Sequence, residues 1–60
     1  MKFCSEDTEI EFVGCAKGEM QVIYSSRSTG KRFCRHKMKN SDAESEQNLL
    51  MHDKDYTVVQ

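Results

Sequence analysis

An α+β fold, a three-stranded antiparallel β-meander with one C-terminal helix packed on one face, is what three features of this sequence predict. From position 9 to position 38, apolar and polar residues alternate in three successive runs. The runs are separated by short polar turns around Gly18 and Gly30, and strands joined by such short loops pair antiparallel. Beyond position 40 the apolar spacing changes from two residues to that of a helix.

The first run, EIEFVGCA at 9–16, sets Ile10 and Phe12 on one side and Glu9 and Glu11 on the other, the pattern of a half-buried strand. The second, MQVIYSS at 20–26, is rich in β-formers and places Met20, Val22 and Tyr24 on one face. A three-residue loop at 17–19 pairs Phe12 with Tyr24 and Gly14 with Val22. It gathers Ile10, Phe12, Ala16, Met20, Val22 and Tyr24 on one face, whereas a two-residue loop splits them.

The third run, KRFCRHKM at 31–38, follows the turn at 26–31 and presents a choice of face. Burying Arg35 and Lys37 beside Phe33 costs several kcal/mol per uncompensated charge. Exposing one phenylalanine forfeits only about 2 kcal/mol. The expected inner face therefore holds Cys34, His36 and Met38 beneath the helix. The outer face carries Lys31, Phe33, Arg35 and Lys37, with Arg27 across the turn.

The helix is expected to begin at SDAE, 41–44, as a capping box in which Ser41 caps and Glu44 reaches back to its amide. Asp42 and Glu44 suit the positive end of the helix dipole. Ala43, Gln47, Leu50 and Met51 form a narrow stripe, with Leu49 off it, so the helix needs tertiary support. YTVVQ at 56–60 is β-prone and returns as a short fourth strand or trails as a frayed end.

Sixty residues make one small domain, 1–60, with no proline, repeat or linker to divide it. A chain of this length buries about 60% of its unfolded surface and is marginally stable. It has no room for a core beneath an enclosed substrate cavity. This lowers the expectation of an enzyme and raises that of a dimer, a bound metal or a partner that completes the fold. No secretory leader and no run of apolar residues long enough for a membrane span is read. Three cysteines, an odd number, fit reduced thiols and a cytoplasmic location.

The formal net charge is −1, but it is segregated. Residues 1–19 hold five acids and two bases; residues 42–60 hold five acids and one base. Residues 20–41 hold six bases and no acid. The expected binding residues are accordingly Arg27, Lys31, Phe33, Arg35, Lys37 and Lys39. Cations at period two fit a protein with an acidic surface; with Phe33 as a stacking ring they fit nucleic acid. The plainer explanation is compensation within the fold by Glu9, Glu11 and the acidic helix.

Other constellations are weaker. Cys4, Cys15, Cys34, His36 and His52 include no closely spaced cysteine pair, so no metal site is assigned. Cys34 and His36 share a strand face expected to be core, where a reactive thiol is out of place. STGKR lacks the first glycine and the terminal hydroxyl residue of a phosphate loop, and HDKD lacks the glycine and glutamate of a calcium loop. No catalytic residue and no cofactor is assigned. The sequence reads as a small non-enzymatic regulator or inhibitor acting by protein contact through its basic hairpin, with nucleic-acid binding by 27–39 as the alternative.

Overall fold

A computed structural model describes residues 1–59. The chain runs β1 (Lys2–Cys4), β2 (Thr8–Gly14), β3 (Glu19–Ser26), β4 (Arg32–Lys39), α1 (Asn40–Met51) and β5 (Thr57–Val59). The α+β class is as expected, but the sheet has five strands, in the order β4-β3-β2-β1-β5, rather than three. Every pairing is antiparallel. The first four strands form a meander, and α1 carries the chain from the β4 edge back to the opposite edge, where β5 pairs with β1.

Strand β1 is the element the alternation does not reveal, because three residues are too few to show a period. Its Phe3 nevertheless anchors the core. Phe3 is fully buried, and its ring meets Phe12 edge-on, with centroids 5.8 Å apart. Ile10, Phe12, Val22 and Ala43 complete the buried cluster, and Met20, Tyr24, Met38, Leu50 and Tyr56 pack around it.

The β2–β3 hairpin keeps the expected inner face but not the expected pairing. Phe12 opposes Val22 and Gly14 opposes Met20, so the loop spans residues 15–18 and Ala16 lies exposed within it. The reason is Gly18, whose φ of 78° requires a residue without Cβ at the last loop position. A shift of two residues preserves the face, since side chains alternate with period two.

The helix also starts earlier than the capping box predicts. Asn40 is its first residue and Lys39, at φ −66° and ψ 151°, is the N-cap; no side-chain cap bond forms among the described residues. Strand β4 runs into the helix without a loop, and the Asn40 amide is held by the Gly18 carbonyl, 2.9 Å away. Ser41 is thus already helical, and its carbonyl accepts the Ser45 hydroxyl at 3.2 Å. Ala43 is buried and Leu50 half-buried, as the stripe predicts, whereas Met51 is exposed. Leu49 lies off the stripe and is 68% exposed. Among the described residues no helix is long and apolar enough to cross a membrane.

Candidate functional site

Strand β4 is an edge strand, and every residue of it except Met38 is exposed. Its register places Cys34 opposite Tyr24, His36 opposite Val22 and Met38 opposite Met20. These three share the helix face of the sheet, as expected, but only Met38 is packed there; Cys34 and His36 are exposed. The His36 ring stacks on Tyr24, with centroids 5.9 Å apart. Burial pushes the Tyr24 phenol up from its ordinary value of 10.0, with the negative charge of Glu46 adding to the effect.

Arg35 opposes Ile23 and Lys37 opposes Gln21, both on the outer face. Lys39 opposes Glu19. A register shift between Tyr24 and Ser25 then sets Arg32, not Phe33, opposite Ser25. Phe33 is the extra residue of a β-bulge. Phe33 is 63% exposed and its ring lies 6.2 Å from that of Tyr24, so it sits at the Tyr24 side of the edge. The expected outer row of Lys31, Phe33, Arg35 and Lys37 is corrected accordingly. The bulge withdraws Phe33 from the row and substitutes Arg32, a cation that strict alternation assigns inward. A bulge leaves no mark in the period of so short a strand, so Arg32 was legible only as one more cation in the basic run.

The remaining expected cations lie in the β3–β4 turn. Lys31 is exposed. Arg27 is engaged in the fold: its Nη1 donates to the Ser5 carbonyl at 2.8 Å, and its amide donates to the Asp7 carbonyl at 2.9 Å. It staples the β3–β4 turn to the β1–β2 turn.

Backbone bonding at β4 follows from the ladder. In an antiparallel pair, residues that exchange both hydrogen bonds alternate with residues that exchange none. The Asn40 amide bonds to Gly18, so Met38, His36 and Cys34 bond inward to β3. The other side of the sheet gives the same phase: Phe12 donates to Met1, which turns Glu11 and Val13 toward β3 and Met20, Val22 and Tyr24 toward β4. The peptide groups of Arg35 and Lys37 therefore point away from the sheet. The residues with free backbone groups are the same residues that carry the cations.

No carboxylate forms an ion pair with this edge among the described residues, although Glu19 faces Lys39 across the ladder and the charge of Glu46 on α1 reaches Tyr24 beside β4. Among the described residues, Arg32, Arg35, Lys37 and Lys39 make no ion pair, and Lys2 with Glu9, at 3.7 Å, is the one that forms. Glu9 also accepts the Cys4 thiol at 3.7 Å. Glu9 and Glu11 sit on β2, two strands and about 10 Å from β4, near the screening length at physiological salt.

Among the described residues no three His, Cys, Asp or Glu side chains are grouped to hold a metal ion. Cys4 lies on β1 and Cys15 in the β2–β3 loop, away from Cys34 and His36 on β4. Open polar depressions lie between residues 5–7 and 54–56, and beside Glu9, Arg27 and Gly30. Compared with known proteins, the chain matches no protein family, no curated sequence and no solved structure.

Proposed function

We propose that this protein is a small, non-enzymatic cytoplasmic binding module, a regulator or inhibitor that acts by contact with a protein bearing an acidic surface. One observation carries this reading. Arg32, Arg35, Lys37 and Lys39 lie in a row along an unpaired sheet edge, exposed and forming no ion pair among the described residues. Complementary charge of this kind steers association and fixes register. Affinity capture from the native host, with nuclease treatment in parallel, tests it. A protein retained after nuclease and lost from the double variant Arg35→Glu, Lys37→Glu supports the reading. Equal capture by the variant refutes it.

The exposed ring of Phe33 favours a second reading, a nucleic-acid surface in which that ring stacks an unpaired base. Against it, the ring and the cations Arg35 and Lys37 flank the edge on different sides, whereas a stacking platform combines them on one face. A random oligonucleotide mixed with the protein at low salt decides the point. Binding that falls steeply with salt and is lost in Phe33→Ala supports nucleic acid. No binding at low salt eliminates it.

A further inference from the structure

We infer that β4 binds its partner by strand addition: an extended acidic segment of another protein pairs with the β4 edge, its carboxylates two residues apart over Arg35 and Lys37. The inference rests on the protein-binding reading above and names the mode of contact.

Three observations combine. First, the edge is long for so small a sheet: beyond the bulge at Phe33 it runs in regular register from Cys34 to Lys39, against three residues for β5 at the opposite edge. Second, the phase of the ladder leaves the amide and carbonyl of Arg35 and Lys37 free, the groups a partner strand needs. Third, the side chains of these same residues project to the outer face beside Ile23 and Gln21. A partner residue bonded to Arg35 or Lys37 places its own side chain on that face, next to a cation. Acids at alternate positions match this spacing, and the intervening residue comes to lie beside His36 on the helix face.

The charges also select against other occupants. Lysine-rich edges deter indiscriminate pairing, and a second copy of β4 sets cation against cation across the new ladder. A neutral strand gains the backbone bonds but leaves the cations unmatched. An acidic strand satisfies both.

The test uses a synthetic peptide of the length of β4 with glutamate and valine in strict alternation. Binding is followed through the backbone amides by nuclear magnetic resonance. Exchange at Arg35 and Lys37 should slow, while His36, already bonded to β3, should change little. Two N-methylated peptides, blocked at alternate amides in opposite phase, should differ: one binds and the other does not. Arg35→Glu with Lys37→Glu should weaken binding by about a hundredfold. Lys37→Pro keeps the β3 ladder, because that amide points outward, and should lose the peptide where Lys37→Gln loses only part of the affinity. If both N-methylated peptides bind equally and the Arg35 and Lys37 amides are unprotected, strand addition is overturned while charge-driven protein binding stands. If the peptide shows no saturable binding and the charge reversal leaves capture unchanged, both readings fall. Preference for an oligonucleotide over the peptide, with loss in Phe33→Ala, also overturns the proposal.

Discussion

Val22 and His36 face each other across the β3–β4 ladder, yet Val22 is fully buried and His36 is exposed. The helix covers the sheet unevenly. Ala43 and Leu50 help seal the cluster around Phe3, Phe12 and Val22, and Met38 closes one end of it. Most of β4 lies beyond this cover, so one sheet face is core at its centre and open at its β4 border.

Phe3→Ala should be the most damaging single truncation. Phe3 is fully buried on a strand that both β2 and β5 pair with. Removing such a ring costs about 3–5 kcal/mol, comparable to the whole stability of a domain this small. Chemical denaturation followed by circular dichroism should find the variant largely unfolded without denaturant. Leu49→Ala, at a 68% exposed position, should stay within about 0.5 kcal/mol of the wild type. Similar midpoints for the two variants would contradict this core.

Lys39→Ser should stabilise the protein. Lys39 already has the extended backbone of an N-cap residue but supplies no acceptor to the first helical amides. A serine hydroxyl there bonds to one of them, worth about 1 kcal/mol. The thermal midpoint should rise by several degrees. A lower midpoint means that the cap lies elsewhere, for example at Ser41 as the sequence motif suggests.

The contrast between these positions shows what the sequence made legible. The class, the three long strands and the inner face of the hairpin followed from alternation, because burying a whole face outweighs other choices. That Cys34, His36 and Met38 share the helix face followed from the cost of burying Arg35 and Lys37, but their burial did not, since only Met38 is packed there. Three further things did not follow. Strand β1 is too short to carry a period, the hairpin loop was set by the positive φ of Gly18, and the bulge at Phe33 shifts parity without changing composition. The basic site was therefore visible as a set of charges, but its membership, with Arg32 in the outer row and Phe33 withdrawn from it, depends on pairing geometry.

Tyr24 makes stability fall at high pH. Burial and the nearby charge of Glu46 raise its pKa above 10.0 in the folded state. The folded chain thus holds the phenolic proton more tightly than the unfolded chain. The resulting stabilisation is fully present below pH 10.0 and is lost as pH rises through the higher folded value. Ultraviolet titration should show one tyrosine ionising late, and Glu46→Gln should bring it earlier. Titration of that tyrosine at or below the ordinary value contradicts the packing described for the ring.

Arg27 and Arg35 belong to the same basic run, but the fold assigns them different work, and their substitutions should separate stability from binding. Arg27 donates to the Ser5 carbonyl and joins two turns that are 22 residues apart in sequence. Arg27→Gln should therefore lower stability, by no more than about 1 kcal/mol because the bond is exposed to solvent. It should leave binding at β4 unchanged beyond the small long-range effect of one charge. Arg35→Gln should do the reverse. Its side chain makes no ion pair or side-chain hydrogen bond among the described residues, so stability should hold while affinity for an acidic partner drops. Denaturation midpoints and peptide titrations measured on both variants check this crossed pattern. If the two variants weaken binding equally, the recognition surface is the whole hairpin rather than the β4 edge, and the pairing of cation with free peptide group at Arg35 has no special role.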